Sequence, residues 1–126
     1  MCSSDLRVYF TTHAWFGNGA TPEARAFADA YAAAYGKPPA NGFAALGYDA
    51  TMLMQIAVNK SGGPLVTTPA DVAKALGKIQ NYRGASGFIS YASGPVPQKD
   101  VWIVRMAKGQ RALATRIPSE IGRAHV

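Results

Sequence analysis

A chain of 126 residues with 48% apolar and 16% charged side chains has the make-up of an ordinary folded protein and the length of one domain. Its formal charge of +6 raises nucleic acid as a partner. The lysines and arginines are instead scattered over element ends and turns, never interleaved with aromatics as stacking on bases requires, so nucleic-acid binding is set aside.

The two ends carry a message of their own. The chain starts MCSSDL and finishes IGRAHV. One coding of Ile121 to Val126, read on the opposite strand from a GTG start codon, spells Met-Cys-Ser-Ser-Asp. Both ends then derive from one short DNA of sequencing-adapter type, and residues 1–6 and 121–126 are expected to be foreign tails around a segment at 7–120. Cys2 and His125 drop out of the chemistry on this reading, which leaves His13 as the one usable histidine. No signal-peptide core precedes the segment, and no apolar run approaches the ~20 residues of a membrane span.

In chain order, RVYFTT (7–12) is a β-branched and aromatic run of strand type, and HAWFGNGA is a glycine-marked loop. Thr21-Pro22-Glu23 opens a helix, with Thr21 at the N-cap, Pro22 at the first position and Glu23 at the positive end of the dipole. Phe27, Ala30, Tyr31 and Ala34 define its buried stripe, and Gly36 ends it. A second helix is predicted from about Gly42 to Asn59. Its stripes, Phe43-Leu46-Ala50-Leu53-Ala57 and Tyr48-Met52-Ile56, cover more than one side, so it should be sandwiched rather than half exposed.

Thr68-Pro69-Ala70-Asp71 opens a third helix, with Asp71 at the reciprocal position of a capping box. Val72, Ala75, Leu76 and Ile79 keep its spacing. QNYRGASG reads as a loop, FISYA (88–92) as a strand and SGPVPQKD as a turn region that proline keeps from extending. VWIVRM and RALATRI are two strands joined through Lys108-Gly109-Gln110 as a hairpin. Such an order is α/β, and its helices have too few strands to cover them. It is the pattern of a piece of a larger α/β protein.

Catalytic chemistry is thin. His13, at a strand end, is the only candidate base of its type, and no nucleophile elbow or phosphate-binding loop accompanies it. The acids are isolated, with no acid–base couple, and too few Cys and His remain for a zinc site. Neither enzyme activity, a metal nor a cofactor is expected.

TPEARAFADAYAAAYGKPPANGFAALGYDATMLMQIAVNKSGG resembles the late portion of type I periplasmic substrate-binding proteins, the branched-chain amino acid and amide-binding family of ABC importers. The likeness rests on the Phe…Tyr…Tyr-Gly-Lys-x-Pro helix, the Tyr-Asp-Ala helix start and the Ser-Gly end. It continues through TPADVAKALGKIQNYRGASGFISYASG and VPQKDVWIVRMAKGQ, which are similar to the family's last helix and closing strands. The resemblance implies a partial type I fold, a strand followed by three helices and a few terminal strands. It belongs to the C-terminal part of a two-lobed protein that closes on a small ligand by hinge motion.

By the same resemblance RVYFTT matches a crossover strand, which places Thr11 and Thr12 near hinge and cleft, while VWIVRM crosses back. Tyr48 matches a cleft-lining tyrosine of the branched-chain amino acid binders. Asp49 is foremost a helix-start residue and secondarily a ligand contact. The implied partners are an amino acid or amide and, for the parent protein, an ABC permease. The parent would be periplasmic or a lipid-anchored extracellular protein. The groups that grip the ligand's charged ends lie in the family's earlier sequence. Two alternatives are a small α/β enzyme using His13 and the ligand-binding lobe of a sensory receptor.

Overall fold

The first strand, β1 (Val8–Thr12), forms where the β-branched and aromatic run predicts it. The computed structural model describes residues 7–119. Both expected foreign tails, 1–6 and 121–126 with Cys2 and His125, therefore lie outside the described residues, as does position 120.

Helix α1 (Pro22–Tyr35) opens as its sequence dictates. Thr21 is extended and its Oγ1 accepts the Ala24 N–H at 3.1 Å, while Gly36, at φ 75°, closes the helix by donating its N–H to Ala32 O. Helix α2 (Phe43–Lys60) has Gly42 at its start, and the Asn41 side chain accepts the Phe43 N–H at 3.0 Å. Helix α3 (Pro69–Leu76) has the full capping box. The Thr68 hydroxyl accepts from Asp71 N–H, and the Asp71 carboxylate accepts from Thr68 N–H at 3.0 Å. Among the described residues no helix is long and apolar enough to cross a membrane.

Among the described residues six strands make two three-stranded antiparallel sheets. One has the order β1-β5-β6, with β5 at Val101–Ala107 and β6 at Gln110–Ile117. The other has the order β2-β3-β4, with β2 at Tyr82–Gly84, β3 at Gly87–Ser90 and β4 at Gln98–Lys99. The β5–β6 hairpin turns on Lys108 and Gly109, both at positive φ, as a two-residue turn of right-handed strand twist requires. Between Ile103 and Val104 the register slips from Thr115 to Leu113, so Ala114 is the extra residue of a bulge.

Several sequence expectations need correction. QNYRGASG is not a plain loop: it contains β2 and the turn into β3. The expected turn region SGPVPQKD contains β4, which pairs Gln98 and Lys99 with Ser90 and Ile89 just after Pro97. Strands of three and two residues are too short to display a period.

The larger correction concerns α2, which is not sandwiched. Its buried line is Ala45, Asp49, Leu53 and Ala57, while Phe43 and Met54 are exposed and Ala50 faces out. Likewise Ala30 and Ala34 of α1 are exposed, and its inner side is Ala24 with Phe27 and Tyr31 half-buried. The core is correspondingly divided. One cluster is Ala14, Ala45 and Ala85 under Phe16 and Phe27, and another is Leu53, Ile79 and Ile89 under Ile56, Leu76 and Tyr82. Trp102 and Val104 are buried in β5.

Candidate functional site

Where β1 ends, the chain turns into the loop His13–Gly19 and a cleft of about 640 Å³ opens beside it. Thr11 and Thr12 line this cleft together with Trp15, Phe16, Asn41 and Arg111. The Thr12 hydroxyl donates to Ala14 O at 3.3 Å, and Trp15 Nε1 donates to Asn18 O at 2.8 Å, which fixes the indole. A Cβ on Gly17 would sit 2.6 Å from that indole, so the ring lies flat against glycine backbone. An apolar wall with a few hydroxyl, amide and guanidinium groups is the usual make-up of a small-molecule site. His13 stands at the rim, its ring 6.2 Å from Phe43.

Tyr48 lies elsewhere. It is 45% exposed, stacks at 5.1 Å on Phe27, and lines a second cavity of about 250 Å³ with Glu23, Tyr82 and Arg83. Burial, and then the negative charge of Asp49, pushes the Tyr82 phenol above its ordinary value. The two cavities share no lining residue. The structure thus groups Thr11 with Thr12 and separates both from Tyr48.

Asp49 is in neither cavity, and its expected helix-start role is not what the structure shows. It sits beyond the first turn of α2 at 1% exposure. Its Oδ1 accepts the Ala85 N–H at 2.7 Å, and its Oδ2 accepts the Ser86 N–H at 2.8 Å and the Ser86 hydroxyl at 2.6 Å. The carboxylate therefore holds the β2–β3 turn from the opposite side of the core. The two glycines of Gly84-Ala85-Ser86-Gly87 leave room for two carboxylates. A Cβ on Gly84 would lie 2.5 Å from Asp49 Oδ2, and Gly87 adopts φ 120° with Asp100 against it.

A second buried acid works beside it. Asp100 accepts the Phe88 N–H at 3.0 Å and the Ser119 N–H at 2.9 Å, and pairs with Arg116 Nε at 3.3 Å. The Arg116 guanidinium lies over Phe88 and Trp102 at 5.2 and 5.5 Å. Lys99 Nζ donates to the carbonyls of His13, Ser86 and Asp100 at 2.9, 3.3 and 2.8 Å. Burial lowers its pKa, against the pull of Asp100 and Asp49. Trp102 Nε1 also donates to Ser86 O, at 3.0 Å. Among the described residues no cluster of three or more His, Cys, Asp or Glu could hold a metal ion.

Sequence reasoning passed over Trp15, Asn41, Arg111 and Lys99. For the first the available signal was an aromatic pair set in a glycine-rich loop after a strand. For Lys99 there was none.

The sequence model of one family, described as periplasmic binding protein, matches residues 4–111. The chain belongs to the periplasmic binding protein family. Solved structures agree. A leucine-binding protein of Thermotoga maritima is 30% identical, with a TM-score of 0.72 over 88% of this periplasmic binding protein chain and 31% of its own. The solute-binding protein of an ABC transporter of R. palustris, in complex with benzoate, is 20% identical, with a TM-score of 0.72 over 89% of this chain and 30% of its own. A branched-chain amino acid transporter substrate-binding protein of Streptococcus pneumoniae, in complex with isoleucine, is 24% identical, with a TM-score of 0.66 over 87% of this chain and 29% of its own.

The chain thus spans about a third of the length of these proteins. Its fold is a part of the type I periplasmic-binding-protein fold. No curated protein matches it.

Proposed function

We propose that residues 7–120 are the C-terminal part of a two-lobed solute-binding protein that captures a branched-chain amino acid or related amide and delivers it to an ABC permease. The carrying observation is the antiparallel pair β1–β5, with Val8 opposite Met106 and Thr12 opposite Trp102. One strand enters the helical unit and the other leaves it, side by side, as two crossovers of a hinge do, and the large cleft opens where β1 arrives. Family membership supports the same reading, as does the likeness to a leucine-binding protein. The parent protein works outside the cytoplasmic membrane on this account, in the periplasm or lipid-anchored at the cell surface.

In this reading Thr11 and Thr12 present hydroxyls to the cleft from the hinge side. Tyr48 offers an aromatic face with a hydroxyl, and meets ligand only where the second lobe brings the two cavities under one cover. Asp49 acts on the ligand through the scaffold it holds. The site is completed by a lobe outside this chain.

The test is calorimetric titration of the full-length protein, expressed from the complete reading frame, with L-leucine, L-isoleucine, L-valine, small aliphatic amides and benzoate. Saturable binding of an aliphatic amino acid or amide is expected, and a preference for benzoate would move the ligand class. The 126-residue chain alone should show no tight, saturable heat, since it carries part of one cleft wall.

A further inference from the structure

The loop His13–Gly19 forms one wall of the large cleft, yet its own hydrogen bonds are short-range. Thr12 Oγ1 donates to Ala14 O, Trp15 Nε1 to Asn18 O, and Ala20 N–H to Gly17 O. Apolar packing of Ala14 against Ala45 and Ala85, and of Phe16 against Phe27, fixes where the loop sits. Such packing is non-directional and leaves peptide orientation free. Among the described residues, the side-chain hydrogen bond that ties this loop to a segment distant in sequence runs from Lys99 Nζ to His13 O at 2.9 Å.

The other end of that tie is held by several hydrogen bonds. Lys99 also donates to Ser86 O, and Ser86 is gripped through its N–H and hydroxyl by Asp49 of α2 and through its carbonyl by Trp102. The third donor goes to Asp100 O, at the root of β5. All three ammonium protons are thus committed, and the first of them joins the His13 carbonyl to segments 86 and 100, which are already bonded to each other through Phe88–Asp100 and Trp102–Ser86.

We propose that Lys99 is a positioning residue of the ligand cleft: its ammonium locks the His13 carbonyl to the Asp49–Ser86 scaffold and so preorganises the wall Ala14–Phe16. This rests on the solute-binding reading above. A preorganised wall spares the ligand the ordering of a loop on binding.

Two variants of the full-length protein test it. Lys99→Met keeps the apolar stem and deletes the donors, and Lys99→Arg keeps donors. Hydrogen exchange is followed at the Trp15 indole N–H and the Ala20 amide, which bond to Asn18 O and Gly17 O within the loop, and at amides 85–86, with the calorimetric Kd for L-isoleucine and the ligand-free melting temperature. In Lys99→Met, exchange at the two loop protons should rise while 85–86, still held by Asp49, stays protected. Kd should weaken about tenfold, the loss of ~1.4 kcal/mol. Lys99→Arg should recover most of both.

A Lys99→Met protein that only melts earlier, with wild-type Kd and wild-type exchange at the Trp15 indole and the Ala20 amide, refutes the proposal. Should that variant not fold, Lys99→Gln is read in the same way. If wild-type protein binds none of the probes, the solute-binding reading fails by itself. Exchange at the Trp15 indole and the Ala20 amide then still decides the clamp, since unchanged exchange sinks it.

Discussion

Two carboxylates on neighbouring helices, Asp49 of α2 and Asp71 of α3, do the same chemistry at opposite ranges. Asp71 is half-exposed and accepts from the N–H and hydroxyl of Thr68, three residues away. Asp49 is 1% exposed and accepts from Ala85 and Ser86, across the core. Each satisfies backbone N–H groups that would otherwise lack a partner. The first closes a helix end and replaces water with little change in burial. The second removes a charge from water and is sustained by three short hydrogen bonds. Range therefore sets the cost of removal, and it also sets what a sequence can reveal.

The sharpest way to break this comparison is Asp49→Ala. It leaves the Ala85 and Ser86 N–H groups and a hydroxyl buried without acceptors, and should cost roughly 3–5 kcal/mol. Urea unfolding of the full-length protein, read by a probe in this lobe, checks it. A loss below 1 kcal/mol would show the β2–β3 turn to be held by its own glycines instead.

Gly84→Ala attacks the same contact from the other side. The added Cβ would lie 2.5 Å from Asp49 Oδ2, and the displacement should cost about 1–3 kcal/mol. Combined with Asp49→Ala, the penalty should largely vanish, because the atom it collides with is gone. Additive losses in a double-mutant cycle would separate the two sites.

The same contrast explains what was legible in the chain. Thr21, Thr68 with Asp71, and Lys108-Gly109 all act within a few residues, and their motifs named the helix starts and the hairpin correctly. Helix α2 was placed to within a residue or two, but its inner face was misjudged. Phe43 and Ala50 look like core and are exposed, while the buried line contains an aspartate. Its polarity can be read only once Ser86 is opposite. Strand β2 was hidden for the same reason, since what stabilises its turn is 36 residues away from it. In the candidate site, Thr11 and Thr12 came from the resemblance of RVYFTT to the family's crossover strand, and line the cleft. Lys99 gave no signal because all three of its partners are main-chain carbonyls, which carry no residue identity.

Thr68→Ala probes the short-range member. The cap loses the acceptor for Asp71 N–H and should lower stability by about 1 kcal/mol, measured by thermal unfolding. The loss should be confined to α3, with amide exchange rising at 70–72 and unchanged at 85–86. Exchange rising at both would mean that the α2–α3 packing transmits the cap to the core.

The smallest expected effect is a titration. The backbone hydrogen bond from Thr68, then that residue's hydroxyl, holds the Asp71 carboxyl below its ordinary 3.8. A carboxyl depressed in the folded state binds fewer protons there than in the unfolded chain, so its contribution is complete above 3.8 and is lost as pH falls through the folded value. In Thr68→Ala both hydrogen bonds to the hydroxyl are gone while the backbone one can persist. The Asp71 titration, followed by its side-chain carbonyl resonance, should therefore move up only part of the way towards 3.8. A full return to 3.8 would mean that the reciprocal backbone bond needs the hydroxyl to hold Asp71 in place, and that the box acts as one cooperative unit rather than as two separable bonds.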